Sequence, residues 1–232
     1  MFRGKKVLSI IPARQGSKSL PNKNILDLNG KPLIHWTIKA SLKTSFIDQT
    51  LITTDSKPIL NYAKKFDVLL KERPDEYARD NTSMTQALKN LFNEDPELVN
   101  KFEFFVLLQP TSPLRTEKHI TKAFKELEKN EISDSLISGT EVDNSGLKNL
   151  IQRKNGFLEE IDSHGFFSMN RQLLPKLFKP NGAIYIINIK EFLSFGKLLS
   201  KNTIPFKMNS EESLDIDTLE DFNLIKNIFK SI

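Results

Sequence analysis

The chain has 232 residues, 38% hydrophobic and 27% charged, with 17 Phe and no Cys. This is the composition of a soluble globular chain with a sizeable core, and it excludes disulfides, thiolate nucleophiles and Cys-ligated metal centres. A net charge of +5, from 34 Lys and Arg against 29 Asp and Glu, argues little for nucleic acid and suits small anionic substrates. Apolar, β-branched runs then alternate with helical periodicity. Strands are expected at 7–12, 50–54, 68–70, 104–108, 135–138 and 183–188. Helices are expected at 32–42, 58–66, 83–92, 117–129 and 218–229, with Ile120, Phe124 and Leu127 on one face of the fourth. That alternation predicts a mostly parallel sheet covered by helices on both faces.

Residues 140–180 break the rhythm. Segments 147–151 and 156–161 have the pattern of an antiparallel hairpin, so this stretch reads as an excursion from the sheet, a lid or a dimerisation arm. No stretch approaches the roughly 20 apolar residues of a membrane span, and the apolar run 7–13 is too short for the core of a signal peptide. With no cysteine present, a cytoplasmic protein is expected.

The charge excess is uneven. The first 26 residues hold Arg3, Lys5, Lys6, Arg14, Lys18 and Lys23 and no Asp or Glu. Several of these lie in the loop after the first strand, where ligands of open α/β sheets bind. Gly16 allows tight turns there, so that successive N–H groups can converge on phosphate oxygens, with Arg14, Lys18 and Lys23 as counter-charges. Neither common glycine-rich nucleotide fingerprint is present. Near the other end, Asp215 and Asp217 alternate with Leu214 and Ile216. In extended chain this puts two carboxylates on one face, a donor set for Mg²⁺. The competing reading makes Asp217 the cap of the last helix. Residues 109–115 form a Pro-stiffened loop after a central strand, in which Arg115 has the character of a residue pairing with a helix end. His35, His119 and His164 show no ligand spacing.

Taken together, IPARQGSK at 11–18, PNKN at 21–24, TTDS at 53–56, ERPDEYARD at 72–80, QPTSPLR at 109–115, RQLLP at 171–175, PNGAIYI at 180–186 and SLDID at 213–217 resemble the acylneuraminate cytidylyltransferases, which activate sialic acids. The resemblance covers nearly the whole chain. It implies a Rossmann-like three-layer sandwich of one nucleotidyltransferase domain, residues 1–232, with an inserted dimerisation arm at about 140–180. It implies that CTP and a nine-carbon acidic sugar give a CMP-sugar and pyrophosphate with Mg²⁺. Arg14, Ser17, Lys18 and Lys23 match the family's triphosphate loop, joined by Gly16 and Asn24. Arg73, Thr82 and Ser83 match the cytosine and ribose region, and Gln109 a sugar contact. Lys148 and Arg171 match basic arm residues that reach a partner's site in a homodimer, and Asp215 and Asp217 match the metal carboxylates. Arg14, Lys23 and Asp217 are the expected catalytic set.

Two positions depart from the family. Ser19 stands where Gly is usual, which would strain a backbone needing positive φ. Met84 stands where a second serine is usual, removing one hydroxyl from the nucleoside segment. Other readings are the same transfer to legionaminic, pseudaminic or a related acid, a silent nucleotide-binding module, and, least supported, a nucleic-acid binder lacking a stacking motif.

Overall fold

The computed structural model describes residues 1–16, 19–161 and 164–230. Ser17 and Lys18, both expected at the triphosphate, lie outside the described residues.

Seven strands make one sheet. They are β1 (Val7–Pro12), β2 (Gln49–Thr54), β3 (Leu69–Glu72), β4 (Phe104–Leu107), β5 (Ser135–Val142), β6 (Leu177–Asn188) and β7 (Thr203–Lys207). Their spatial order is β7-β5-β6-β4-β1-β2-β3. Only β6 runs against its neighbours, β4 and β5, and the other pairings are parallel. The expected mostly parallel sheet is therefore present. β1 is buried along its whole length because both its faces are covered. Val7 and Ile11 pack with Ile34 and Ile38 of α1 (Leu33–Leu42), Ile59 of α2 (Lys57–Ala63) and a second helical face. That face is Ile120, Phe124 and Leu127, on the helix Glu117–Glu128. Leu8 and Ile10 point the other way, onto Leu88, Leu91 and Phe92 of the helix Met84–Glu94. Truncating such a residue, as in Ile10→Ala, costs about 2–5 kcal/mol.

The remaining helices begin with α3 (Asp75–Ala78), α4 (Met84–Glu94) and α5 (Pro96–Lys101). After them come α6 (Glu117–Glu128), α7 (Ile189–Phe195) and α8 (Leu219–Lys230). Helix α4 starts at a reciprocal cap, in which Ser83 Oγ accepts from Gln86 N while Ser83 N donates to Gln86 Oε1. α8 starts the same way at Thr218 and Asp221. The α3, α5, α7 and β7 segments were not anticipated by periodicity. Each is short, and β7 carries Pro205, which an edge strand tolerates.

The two strands bracketing the excursion are longer than expected. β5 runs on to Val142 and β6 starts at Leu177, paired antiparallel as a ribbon past a bulge between Pro180 and Tyr185. Between them, Leu150–Gln152 pairs antiparallel with Leu158–Glu160, the anticipated hairpin in shortened form. Phe157 and Leu173 are 71% and 68% exposed on this excursion, and Ile151, Leu158, Ile161 and Phe167 are exposed too.

Candidate active site

The chain passes from β3 back across β1 to β4, so the sheet's winding reverses between β1 and β4. A cleft opens beyond their carboxyl ends, where the switch point of such a sheet puts it. Its walls come from Pro12 at the end of β1, Gly16 and Asn24 in the following loop, and Gln109, Pro110 and Thr111 after β4. Arg14, Lys23 and Arg73 line it on one side and Asp215 and Asp217 on the other, around about 210 Å³. The basic loop and the late acidic pair, at opposite ends of the sequence, thus meet in one place. Lys23 Nζ is 3.4 Å from Asp217 Oδ1 and donates to the Ile216 carbonyl at 2.5 Å.

Local structure explains each placement. Ile216 is fully buried against Phe222 and Ile225 of α8, and its N–H donates to the Thr111 carbonyl at 2.9 Å. Leu214 packs in the same cluster, so the alternation turns Asp215 and Asp217 into the cleft as expected. The helix-cap alternative for Asp217 is corrected: Thr218 caps α8, and the Asp217 carboxylate is 77% exposed. Burial, and after it the charge of Asp217, holds the Asp215 carboxyl above the ordinary carboxylate range. Hydrogen bonds from Thr111 and Ser112 and the charge of Lys23 oppose that rise. A partly buried carboxylate, Asp215, with the exposed Asp217 beside it at an open cleft is a hard-oxygen donor set that a divalent cation would relieve. Among the described residues no third acidic or His ligand joins them. That fits Mg²⁺, which is held by one or two carboxylates plus substrate phosphates and water.

On the basic side, Arg14 Nη1 lies 2.6 Å from Asp80 Oδ1, and the Gln15 N–H donates to Asp55 Oδ1. Asn24 Nδ2 donates to the Arg14 carbonyl, while its buried Oδ1 has no partner among the described residues. Arg73 is buried and donates to the Thr53 carbonyl and hydroxyl. Its guanidinium pKa is lowered by burial, against the charge of Asp55 and with that of Arg14. Gly16 lies outside the left-handed region, and an added Cβ would meet nothing within 4 Å; the turn expected there runs into residues 17 and 18, outside the described residues. Arg3 differs from the anion-binding reading. It is tied to the carbonyls of Leu127, Asn130 and Ser133 behind α6, remote from the cleft lining.

A second cavity of about 550 Å³ adjoins the first through Gln109, Asp215 and Asp217. Thr140, Lys179, Gly182 and Tyr185 are among its other walls. Its framework is Asn181, which the sequence marked only as part of the segment 180–186 and gave no role. The Asn181 Oδ1 accepts from Ser138 Oγ and the Ala183 N–H, its Nδ2 donates to Ser213 Oγ, and its carbonyl accepts from Ser112 Oγ. One buried amide therefore ties β5, β6, the 109–115 loop and the acidic segment together. Gly182 has φ +75°, and a Cβ there would sit 2.7 Å from Gln109 Oε1. Arg115 is buried with its pKa lowered to about 9 by desolvation, and it donates to the Gln109 and Ala183 carbonyls and Thr37 Oγ1. It braces the junction of the two cavities, where a helix end had been expected.

Other expected residues fall outside these cavities. Thr82 donates to the Glu76 carbonyl and Ser83 is consumed in the α4 cap, while the next residue, Met84, lines the first cavity. Lys148 and Arg171 lie on the excursion and do not line the cleft of their own chain; Arg171 pairs with Asp143 at 3.4 Å. Among the described residues, no helix is long and apolar enough to cross a membrane.

The switch-point cleft thus gathers Arg14, Lys23 and Arg73 with the Asp215 and Asp217 pair and opens onto a second cavity. The chain belongs to the cytidylyltransferase family, whose model matches residues 8–228. It is 34% identical over 224 residues to the N-acylneuraminate cytidylyltransferase of Escherichia coli O18:K1:H7, covering 94% of this chain and 51% of that protein. The chain thus spans about half the length of this relative. It is 32% identical over 243 residues to the CMP-N,N'-diacetyllegionaminic acid synthase of Legionella pneumophila, covering 97% of both. In fold it is similar to a CMP:2-keto-3-deoxy-manno-octonic acid synthetase complexed with CTP, with a TM-score of 0.70 at 14% identity over 97% of this chain and 99% of that one.

Proposed function

We propose that the chain transfers CMP from CTP to the anomeric hydroxyl of a nonulosonic acid of the sialic type, releasing pyrophosphate. The observation that carries this is the convergence of Arg14 and Lys23 with Asp215 and Asp217 in a cleft that continues into a second cavity at Gln109. The first cavity takes the nucleotide, with Arg73 and Asn24 at the nucleoside. The second takes the sugar. The sugar's hydroxyl oxygen bonds to the α-phosphorus, the bond from the α-phosphorus to the oxygen bridging to the β-phosphate breaks to release pyrophosphate, and the hydroxyl proton passes to solvent water. Arg14 and Lys23 hold the phosphoryl oxygens as charge builds on them and on the departing pyrophosphate. Asp215 and Asp217 would hold Mg²⁺. When bound, it supplies polarisation of the α-phosphate and acidifies an oxygen-bound proton. Gln109 faces both cavities and orients the sugar over the phosphate.

The excursion at 140–180 acts as a dimerisation arm, supported by its exposed Phe157, Leu158 and Leu173. Lys148 and Arg171 then serve the partner's site, with Arg171 placed to meet the sugar carboxylate by a bidentate fork. A second reading keeps the nucleotide and changes the sugar to legionaminic, pseudaminic or a related acid. The legionaminate-forming relative, matched along both chains, supports it. A silent nucleotide-binding module is disfavoured by the retained carboxylate pair. The test is pyrophosphate release from each of the four nucleoside triphosphates with a panel of these sugars. CTP with one of them is expected to release pyrophosphate. No release with any sugar would end both readings.

A further inference from the structure

Two groups of the basic loop reach across to the acidic segment, and they differ in kind. Lys23 meets the Asp217 carboxylate and the Ile216 carbonyl. Ser19 Oγ donates to the Asp217 carbonyl at 2.5 Å, joining positions 198 apart in sequence. The Asp217 backbone is itself an anchored post, because its N–H and that of Thr218 both donate to Asp221 Oδ2.

We propose that Ser19 is a positioning residue that straps the phosphate loop to the metal-side segment throughout the nucleotide cycle. The Lys23–Asp217 ion pair must exchange partners when an anionic polyphosphate and a cation arrive, because each of its charges then has a stronger counter-charge. The Ser19 bond joins a hydroxyl to a neutral carbonyl. Neither salt nor a cation competes for it as for the ion pair, so it holds the loop in register while the ion pair opens. Without it the described part of this cation-rich loop is left with Lys23 on the Ile216 carbonyl, Arg14 on Asp80, Asn24 on the Arg14 carbonyl and the Gln15 N–H on Asp55. Ser19 touches no reacting atom in this scheme; it acts through the loop.

The kinetic arm of the test rests on the nucleotide reading of the cleft, and the exchange arm does not. Hydrogen exchange is measured on the nucleotide-free wild type, Ser19→Ala and Ser19→Thr. The amides followed are those of Lys23, Ile25 and Leu26, which donate to the carbonyls of Leu20, Asn22 and Lys23. Ser19→Ala is expected to exchange there about two- to tenfold faster, the equivalent of one lost hydrogen bond, and Ser19→Thr to stay near the wild type. In steady state Ser19→Ala raises KM for CTP by a similar factor, leaves kcat within about twofold, and is rescued by Ser19→Thr. Unchanged exchange in Ser19→Ala, or a Ser19→Thr variant as loose as Ser19→Ala, overturns the strap. Faster exchange with an unchanged KM overturns its part in nucleotide binding. A wild type silent with CTP defeats the nucleotide reading and leaves the exchange result to decide the strap.

Discussion

Asp217 shows how one residue separates folding from chemistry. Its carboxylate is exposed and, among the described residues, pairs with Lys23, while the neighbouring Thr218 and Asp221 cap the helix. Asp217→Asn is therefore expected to melt within a few degrees of the wild type. Its turnover should fall on the order of 100-fold or more even at saturating Mg²⁺, because several kcal/mol of transition-state charge stabilisation go with the carboxylate. Near-normal turnover at high Mg²⁺ would contradict its role. Asp215 behaves oppositely. Its folded pKa is raised by burial and by Asp217, so the native state holds its proton at a pH where the unfolded chain has released it. Its contribution to stability accordingly falls as pH rises from the unfolded value through the raised one. Asp215→Asn, freed of metal by chelator, should melt at or above the wild type at neutral pH and at or below it near pH 3. A lower melting point at neutral pH would refute the burial argument. Gly182→Ala places a Cβ against Gln109 in a left-handed backbone. It should cost about 1–3 kcal/mol in denaturant titration and raise KM for the sugar more than KM for CTP.

At the scale of elements, the cleft depends on how helices begin. Ser83 starts α4 and is bonded within the cap, beside Met84 in the first cavity. Ser83→Ala should lower stability by about 1 kcal/mol and change KM for CTP by less than the corresponding factor. A selective, large KM effect without loss of stability would return Ser83 to direct nucleotide contact. The β6 bulge has a similar part at the second cavity. It breaks the β5–β6 register between Pro180 and Tyr185, and within it Asn181 and Gly182 line that cavity. Bulges redirect side chains where an unbroken ladder cannot.

For the whole molecule, the exposed apolar arm is the feature a monomer does not explain. If the excursion is a dimerisation arm, the double variant Phe157→Ser with Leu173→Ser should give a lower mass than the wild type in light scattering and weaken use of the proposed sugar. If the arm completes a neighbour's site, mixing Arg171→Ala with Asp217→Asn chains should restore rate at low sugar, since mixed dimers contain one site with both native residues. No restoration after subunit exchange would reject the composite site.

Strand β1, the basic loop after it and the alternation of Asp215 and Asp217 with Leu214 and Ile216 were all legible in the amino-acid order, because each is a local pattern of period, charge or spacing. Family resemblance carried the same reading across nearly the whole chain. What tertiary structure alone decided are relations between residues remote in sequence. Asn181 became the amide joining four segments, Arg115 a buried brace at the cavity junction, and Ser19 a bond to a carbonyl 198 positions away. Such groups carry no periodic signal. Their partners are set by how the sheet brings loop ends together, and a polar side chain finds a role only once burial removes water as its alternative partner.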